Sequence, residues 1–456
     1  MGIALVILAA GQGTRMNSDL PKVLHPLGGA PLVVHALKSG AALAPERAVV
    51  VTGRGGEAVA KVARGWDPDI LISEQAEQLG TAHAVAQAKA ALDGFSGDIV
   101  VLYGDTPFIS GERLEVLAAA RAAHDVVVLG FEAADPGRYG RLVTKGDRLE
   151  RIVEFKDASA AERAITLCNS GVLTADAATL FSLIEAVGNA NASGEYYLTD
   201  VVGLARDRGL SAGVVVCDEA ETLGINTRSE LMAAEARLQA RMRAEALEDG
   251  VTLIAPETVH FSHDTVIGRD AVIEPNVVFA PGVTIESGAR VRSFSHLGGC
   301  HVSRGAIVGP FARLRPGAEL AEEVNVGNFV EIKNAQIAEG AKVNHLSYIG
   351  DADVGEKTNI GAGTITCNYD GVFKHRTTIG RDVFVGSNTM LVAPVKLGDR
   401  SMTASGAVIT TDVPDGAMAV ARAPQVNKPG LAVRLMDKLR ARKAQMKDRK
   451  STRLNS

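Results

Sequence analysis

A glycine-rich loop at residues 8–16 directly follows the first apolar run of the chain. Its glycines at positions 11 and 13 allow backbone N–H groups to approach phosphate oxygens, and Arg15 adds a fixed positive charge. The loop is not a dinucleotide-binding fingerprint, because Met16 stands where the third glycine would be, and no Gly-Lys-Ser/Thr follows to make it a P-loop. It is therefore compatible with phosphate binding and equally with a simple turn between a strand and a helix.

Two charged residues further along could act on a phosphate together with this loop. Lys22 follows the rigid Pro21 and could neutralise phosphate charge, although a single lysine is more often a solvated surface group. Asp105 follows the end of an apolar run at Tyr103, where a carboxylate could hold a divalent metal ion or cap the next helix. These residues alone leave both alternatives open.

In the C-terminal half, polar side chains interrupt a regular aliphatic pattern. Arg315 and Lys333 are about eighteen residues apart, which is one turn of the repeat described below, so they should stack. The stack could bind an anion or could be a surface charge ladder. His345 lies in the same region, and acyl transfer to an amine needs a base that titrates near neutral pH, although a single histidine is more often structural.

The elements that must position the N-terminal residues alternate between short apolar runs and helical stretches up to about residue 225. The strand-like segments are residues 3–9, 47–51, 99–103 and 126–130, and the helical segments are residues 31–39, 81–92 and 112–124. This alternation predicts a mostly parallel sheet with helices on both faces. Ligands of such sheets bind at the carboxyl ends of the strands, which is where the polar motifs fall.

A connecting helix is predicted at residues 229–247, with Ser229 as its N-cap and Gly250 as its stop. We therefore expect an N-terminal domain at residues 1–228, a linker helix at residues 229–249 and a C-terminal domain at residues 250–456. The C-terminal domain ends in a basic tail, for which disorder or a loose helix is expected.

An aliphatic residue returns at every sixth position after Gly250, with occasional slips of one residue and a longer interruption at residues 366–378. A period of six predicts a prism-shaped coil in which each hexapeptide forms a flat face and a corner, with the aliphatic residue pointing inward. The inward positions are Ile267, Ile273, Phe279, Ile285, Val291, Leu297, Val302, Val308, Leu314, Leu320, Val326, Ile332, Ile337, Val343, Ile349, Val354, Ile360, Ile379, Val385, Leu391, Leu397, Thr403 and Ile409.

Composition excludes several classes of protein. The net charge of −5 over 456 residues argues against a general nucleic-acid-binding protein. Residues 3–10 are apolar but lack a basic leader, so we expect neither a signal peptide nor a membrane span. The four cysteines have no zinc-site spacing, so we expect free thiols in a reducing, cytoplasmic compartment.

Taken in order, the N-terminal motifs resemble those of the nucleotide-diphospho-sugar pyrophosphorylases, whose signature is a glycine loop, an arginine and a Pro-Lys pair. The resemblance implies a Rossmann-like sheet. It marks Arg15 and Lys22 as catalytic, and Asp105 and Asn226 as ligands of Mg²⁺. Further substrate-binding positions are Gln75, Gly80 and Thr81 for the uracil, Gly140, Glu154 and Asn169 for the sugar, and Leu8, Ala9, Ala10, Gly11, Tyr103 and Gly104.

Two long runs in the C-terminal half, residues 309–320 and 359–371, resemble the family of bifunctional N-acetylglucosamine-1-phosphate uridylyltransferases and glucosamine-1-phosphate N-acetyltransferases. This resemblance covers residues 3–425 and implies a left-handed parallel β-helix with His345 as the general base. Positions implied for the sugar phosphate are Arg315, Lys333, Tyr348 and Asn359, and those implied for acetyl-CoA are Ala362, Asn368, Tyr369, Ser387, Ser405 and Arg422. Ser405 stands where an alanine is expected, and Asn344 stands where a small residue is expected.

The same resemblance implies two reactions. Acetyl-CoA would acetylate glucosamine 1-phosphate, and UTP with Mg²⁺ would then convert N-acetylglucosamine 1-phosphate into UDP-N-acetylglucosamine and pyrophosphate, for peptidoglycan and lipopolysaccharide synthesis. It also implies a homotrimer with acetyl-CoA between neighbouring β-helices, and no nucleic-acid or membrane partner. Two alternatives are a pyrophosphorylase of one activity with a structural β-helix, and a non-enzymatic trimerisation scaffold. The segment at residues 75–81 and the acetyltransferase runs count against the first.

Overall fold

The computed structural model describes residues 2–11, 13–146 and 148–454, with side chains up to Met446. Contacts within the chain divide it into two compact units, one ending at Arg304 and the other beginning at Gly305. The first unit therefore contains the linker helix and the first coils of the repeat in addition to the N-terminal α/β region.

The first unit contains α-helices, β-strands and short 3₁₀ helices. Its strands are β1 (Gly2–Ala9), β2 (Pro26–Leu27), β3 (Ala30–Pro31), β4 (Arg47–Gly53), β5 (Leu71–Gln75), β6 (Gly97–Tyr103), β7 (Val126–Glu132), β8 (Arg141–Lys145), β9 (Arg148–Val153), β10 (Leu167–Asp176), β11 (Ala212–Cys217), β12 (Thr252–Leu253), β13 (Val266–Ile267), β14 (Val272–Ile273), β15 (Val278–Phe279), β16 (Val283–Ile285), β17 (Arg290–Val291), β18 (His296–Leu297) and β19 (Cys300–Val302). Its α-helices are α1 (Leu32–Ala41), α2 (Glu57–Trp66), α3 (Thr81–Gln87), α4 (Gly111–Ala119), α5 (Ala160–Arg163), α6 (Ala177–Ile184), α7 (Asp200–Asp207) and α8 (Arg228–Glu248).

The main sheet of the first unit has the strand order β11-β7-β10-β6-β1-β4-β5. Strand β10 runs antiparallel to both of its neighbours, and the other pairs along this path are parallel. The hairpin of β8 and β9 attaches to β10. The predicted mostly parallel sheet is therefore confirmed.

Strand β1 shows why this sheet is covered on both faces. Side chains alternate along a strand, so an apolar run without polar interruptions must be buried on each side. Leu5 and Ile7 pack into the cluster that contains residues of α1 and α4, whereas Val6 and Leu8 pack into the cluster that contains residues of α3 and α6. The glycine loop thus begins where a strand fixed on both faces ends.

The N-cap of the linker helix α8 lies two residues earlier than predicted. The predicted N-cap Ser229 is wrong, because the cap is Thr227, which forms a reciprocal capping box with Glu230. The Glu230 N–H donates to Thr227 Oγ1 at 3.1 Å, and the Thr227 N–H donates to Glu230 Oε2 at 3.1 Å. A Thr followed three residues later by Glu satisfies two free N–H groups at once, which a serine inside the first turn cannot do.

The same helix is tied to the first coil of the repeat. Gln239 donates through Nε2 to the Phe261 carbonyl at 2.7 Å and accepts the Phe261 N–H at 2.8 Å. Gln239 is buried, so both halves of its amide are satisfied by one backbone position.

The second unit is a stack of short parallel strands followed by one helix. Its elements are β20 (Ile307–Val308), β21 (Arg313–Leu314), β22 (Ala318–Leu320), β23 (Asn325–Asn328), β24 (Glu331–Ile337), β25 (Lys342–His345), β26 (Tyr348–Val354), β27 (Asn359–Ile360), β28 (Ile365–Cys367), β29 (Thr377–Ile379), β30 (Phe384–Val385), β31 (Met390–Val392), β32 (Val395–Leu397), β33 (Met402–Thr403), β34 (Val408–Ile409), β35 (Met418–Ala419) and α9 (Leu431–Leu454). Neighbouring strands belong to successive coils, as in the orders β20-β23-β25-β27-β30-β33-β35 and β22-β24-β26-β28-β31-β34.

The predicted inward positions are buried in both units, apart from Ile267, which is half-buried. The β-helix predicted from the period of six is therefore confirmed. The interruption is shorter than predicted, because Thr366 and Thr377 are themselves buried and only the segment between them leaves the coil. Thr366 keeps an inward position by donating through Oγ1 to the Gly350 carbonyl at 3.0 Å.

The basic tail forms helix α9, which is the helical alternative of the two expected. Its side chains are exposed as far as they are described, apart from half-buried Leu431. Within the described part of the chain, no helix is both long and apolar enough to cross a membrane.

Strand β31 offers a direct test of the inward repeat. Leu391 is fully buried, and its neighbour Val392 is 38% exposed on the same strand. Replacing Leu391 by alanine should lower the free energy of unfolding by about 3 kcal/mol, because a cavity remains in a packed column. Val392→Ala is the matched control and should cost about 0.5 kcal/mol or less. Urea denaturation followed by circular dichroism measures both, and equal losses would contradict the assigned register.

Candidate active sites

The first candidate site is a cavity of about 330 Å³ at the edge of the main sheet, where β1, β5 and β6 end. Ala9 and Gly104 adjoin residues that line it, since Ala9 lies between Leu8 and Ala10 in the chain and the Gly104 N–H donates to the Leu8 carbonyl at 3.0 Å. The predicted residues that line the cavity are Leu8, Ala10, Gly11, Lys22, Gln75, Gly80, Thr81, Tyr103 and Asp105.

Lys22 contacts both residues that are predicted to bind the metal ion. Its Nζ forms an ion pair with Asp105 Oδ2 and donates to Asn226 Oδ1 at 3.0 Å. Arg15 Nη2 donates to the same Asn226 oxygen at 2.9 Å. Gly13 adopts a left-handed backbone with φ +64°, and a side chain there would collide with the Lys22 Cβ, so the glycine lets the loop close onto the lysine.

The oxygens of Asp105 and Asn226 suit a divalent cation. Both contact one positive group, the Lys22 ammonium, so they already converge on a single cationic position. The described residues contain no cluster of three or more His, Cys, Asp or Glu side chains that could form an all-protein metal cage. A pair of oxygen ligands instead fits Mg²⁺, which usually keeps several waters and binds substrate phosphates.

The residues predicted to face the base lie close together in the lining of the cavity. Gln75 is buried and donates through Nε2 to the Gly80 carbonyl at 3.0 Å, while Thr81 Oγ1 accepts the Leu198 N–H at 2.9 Å. Gly80 has φ +117° and lies against the Tyr196 backbone, which leaves no room for a Cβ. Gln78 also lines the cavity and donates to the Ala10 carbonyl, which ties this segment to the glycine loop.

The residues predicted to contact the sugar also come together. A Cβ on Gly140 would lie 3.4 Å from Glu154 Oε1 and 3.6 Å from Asn169 Cβ. The pKa of Glu154 is raised, because burial disfavours the charged carboxylate. The Thr199 hydroxyl donates to Glu154 Oε1 at 3.2 Å, which offsets only part of this rise. Burial also raises the pKa of Tyr103, so its phenol stays neutral as a hydrogen-bonding group.

Sequence reasoning missed Gln78, Glu195 and Thr199 in this region. Gln78 and Glu195 line the first cavity, and Thr199 orients Glu154. Gln78 lies inside the segment that carried the resemblance, so its position was a usable signal. The other two lie far along the chain and offer no spacing pattern.

The second candidate site occupies successive coils of the second unit. Arg313 is in register with Glu331 and Leu314 with Ile332, so the predicted stacking of Arg315 on Lys333 follows directly. Arg315 Nη1 lies 2.8 Å from Glu331 Oε1. Each cation of the stack therefore has a carboxylate neighbour, because Lys333 Nζ is 3.7 Å from Asp351 Oδ2.

His345 is exposed, and Asn328, in register with it on strand β23, contacts its ring. The distance from His345 Nδ1 to Asn328 Oδ1 is 2.8 Å. An amide oxygen can only accept, so this contact selects the tautomer with the proton on Nδ1 and leaves Nε2 as the free base. Asn328 is a further residue that the sequence reasoning missed.

Tyr348 and the predicted cofactor positions lie on neighbouring coils. Asn368 Nδ2 is 3.5 Å from the Tyr348 hydroxyl, and Tyr369 is mostly exposed. The carbonyl of Ala362 accepts the Asn388 N–H at 2.7 Å, and that of Ser387 accepts the Gly406 N–H at 2.8 Å.

Ala362, Ser387 and Ser405 thus follow one another along a single column. Asn359 starts β27, beside β25, which carries His345. Arg422 is exposed and lies just beyond the last strand, next to Ala421, whose carbonyl accepts the Val408 N–H at 3.2 Å.

Comparison with known proteins gives a separate family match for each half of the chain. The MobA-like NTP transferase domain matches residues 5–170, and the bacterial transferase hexapeptide model of six repeats matches residues 264–299 and 376–411. The chain is 68% identical over 444 residues to a bifunctional protein GlmU of Ruegeria sp. (strain TM1040), covering 97% of this chain and 99% of that protein. It is 64% identical over 449 residues to a bifunctional protein GlmU of Jannaschia sp. (strain CCS1), covering 98% of each.

A third relative, a bifunctional protein GlmU of Cereibacter sphaeroides (strain ATCC 17025), is 68% identical over 439 residues, covering 96% of this chain and 97% of that protein. These identities extend over nearly the full length of both partners. The chain belongs to the GlmU family of bifunctional proteins, which confirms the prediction of a uridylyltransferase joined to an N-acetyltransferase.

Proposed function

We propose that the second unit transfers an acetyl group from acetyl-CoA to glucosamine 1-phosphate, and that the first cavity transfers uridylyl from UTP to the product. The observation that carries the proposal is the convergence of Arg15 and Lys22 with the oxygens of Asp105 and Asn226. The products are CoA, pyrophosphate and UDP-N-acetylglucosamine.

In uridylyl transfer, the phosphate of N-acetylglucosamine 1-phosphate attacks the α-phosphorus of UTP, and pyrophosphate leaves. Both reactants are anionic, so their mutual repulsion is the main barrier to close approach. Lys22 and Arg15 offset this charge from the glycine-loop side. Mg²⁺, when held by Asp105 and Asn226, supplies further neutralisation of the phosphate charge.

The remaining predicted residues of the α/β region orient the two ends of the product. Gln75, Gly80 and Thr81 face the uracil, and Glu154 and Asn169 hold the acetamido sugar. Tyr103, kept neutral by burial, closes the wall between these subsites. No protein nucleophile is needed, because the sugar phosphate is already ionised.

In acetyl transfer, His345 Nε2 takes a proton from the amino group of glucosamine 1-phosphate. The amine then forms a bond to the thioester carbonyl carbon, the carbon–sulfur bond breaks, and the thiol of CoA leaves with the proton. Asn328 holds the imidazole in the required tautomer. Arg315, Lys333, Tyr348 and Asn359 bind the sugar phosphate, and Ala362, Asn368, Tyr369, Ser387, Ser405 and Arg422 bind acetyl-CoA.

We infer that the protein forms a homotrimer and that the second site lies beside a contact between its subunits. Phe311, Phe329 and Leu346 are large apolar residues that are each about half exposed, and the two phenyl rings stack with centroids 5.3 Å apart. They line an open cavity of about 410 Å³ together with Glu331 and Tyr348. An apolar surface beside polar site residues suits contact with a second copy of the chain. We also infer a cytoplasmic location, since Cys168, Cys217 and Cys367 are free thiols.

The full reaction is tested by incubating the protein with glucosamine 1-phosphate, acetyl-CoA, UTP and Mg²⁺. Formation of UDP-N-acetylglucosamine with CoA and pyrophosphate is expected. Omitting acetyl-CoA should stop product formation, and supplying N-acetylglucosamine 1-phosphate should restore it. If only pyrophosphate exchange occurred, the β-helix would have a structural role alone.

Asp105→Ala should lower uridylyl transfer at least about 100-fold, because the carboxylate that faces the metal position and Lys22 is lost. Acetyl transfer should stay within about twofold, since its site lies in the other unit. The matched control is exposed Asp93→Ala, which makes the same charge change outside the cavity. Normal uridylyl transfer in Asp105→Ala would remove Asp105 from the site.

His345→Ala should lower acetyl transfer at least about 100-fold by removing the general base. Uridylyl transfer from N-acetylglucosamine 1-phosphate should be unchanged. His296→Ala, which removes another exposed imidazole from a coil of the first unit, is the control. Separate assays of the two half-reactions measure both effects, and unchanged acetylation by His345→Ala would require another base.

A further inference from the structure

A buried carboxylate lies behind the proposed acetyltransferase site. Asp351 is 6% exposed and sits at a corner of the β-helix with φ +48°. Burying an ionised carboxylate is unfavourable unless it accepts several hydrogen bonds or meets a cation. The contacts around Asp351 show which groups stabilise its charge.

Three polar groups surround Asp351, and they come from the coils on either side. Asn334 Nδ2 donates to Asp351 Oδ1 at 2.6 Å, and Asn368 Nδ2 donates to Asp351 Oδ2. Lys333 Nζ lies 3.7 Å from the same Oδ2. Asn334, Asp351 and Asn368 therefore form one polar ladder across three coils.

The carboxylate remains charged in this position. Burial raises the pKa of Asp351, but the hydrogen bonds from Asn334 and Asn368 and the charge of Lys333 lower it more, so the net shift is downward. An ionised carboxylate has only acceptor atoms. Every side-chain amide that faces the Asp351 carboxylate must therefore point its nitrogen, not its oxygen, toward the carboxylate.

We propose that Asp351 is a positioning residue for acetyl transfer, which sets the orientation of the Asn368 amide and leaves Asn368 Oδ1 as the acceptor for the acetyl donor. This inference rests on the proposed role of Asn368 in binding acetyl-CoA. Asn368 Nδ2 is directed to Asp351 Oδ2 and lies 3.5 Å from the Tyr348 hydroxyl. Its oxygen is then free to accept an N–H from the pantetheine arm of the donor.

The choice of variant follows from the backbone. At φ +48° an alanine would add strain that has no connection with the carboxylate, whereas glycine adopts this conformation without a steric cost. Asp351→Gly thus removes the carboxylate and preserves the corner. Asn334→Gly is the matched control, because Asn334 has φ +45° and contacts the other oxygen of Asp351.

Asp351→Gly should raise the KM for acetyl-CoA about tenfold, because one charge-assisted hydrogen bond no longer orients Asn368. The kcat at saturating acetyl-CoA should fall less than about threefold, and uridylyl transfer should not change. Asp351→Asn should restore a KM close to that of the unmodified protein, because its amide oxygen can face Asn368 and Lys333. Asn334→Gly should leave this KM within about twofold.

A double-mutant cycle separates positioning from general destabilisation. Asn368→Ala should raise the KM for acetyl-CoA, and Asp351→Gly combined with Asn368→Ala should raise it no further. Multiplying effects, or a normal KM in Asp351→Gly, would overturn the positioning role and leave the proposed site intact. A normal KM in Asn368→Ala would overturn both this inference and the cofactor role of Asn368. Absence of acetyl transfer by the unmodified protein would instead reject the proposed function.

Discussion

Each proposed site must hold positive charge ready for anionic substrates, and a cation that is partly removed from water needs an oxygen partner inside the protein. The cations are paired accordingly, Lys22 with Asp105, Arg315 with Glu331 and Lys333 with Asp351. Such pairing fixes a long flexible side chain before substrate arrives, so less side-chain freedom is lost when a phosphate binds. It also keeps the local net charge small, which limits the cost of placing two cations side by side.

The two architectures provide these partners in different ways. In the α/β region, Leu8 is in register with Tyr103 on parallel strands, so the loop after one strand and Asp105 after the other emerge at the same edge. In the β-helix, residues one turn apart lie in register, as with Asn328 and His345 or Arg313 and Glu331. Asn and Asp adopt the positive φ of the β-helix corners with little backbone strain. Asp351 can therefore occupy such a corner and bury its carboxylate.

Much of this arrangement could be predicted from the sequence because it is repetitive. The period of six predicts which residues face inward, and it predicts the stacking of Arg315 on Lys333. The slip between Ile332 and Ile337 shortens one turn to about seventeen residues. That slip was the available signal for the contact of Asn328 with His345, and the slip between Ile349 and Val354 was the signal for the contact of Asp351 with Asn368. A uniform turn length would align neither pair.

The rest depends on tertiary contacts that leave no periodic trace. Thr199 reaches Glu154 from a segment 45 residues away, and Arg15 reaches Asn226 across 211 residues. Thr366 was unpredictable for a different reason, since a polar residue interrupts the aliphatic pattern yet stays inside by hydrogen bonding to a coil carbonyl. Polarity alone therefore does not show where a coil is broken.

The two proposed sites also show what distinguishes a phosphate that reacts from one that serves only for binding. Each site offers one arginine and one lysine, Arg15 with Lys22 and Arg315 with Lys333. In the reaction proposed for the β-helix the sugar phosphate stays unchanged, so two cations are sufficient, and the neighbouring group is the proposed base His345. In the α/β cavity the same phosphate must approach a triphosphate, so the lysine is accompanied by the oxygens of Asp105 and Asn226, which can hold a further positive charge. The extra oxygen ligands are thus the feature that turns a phosphate-binding pair into a site for nucleotidyl transfer.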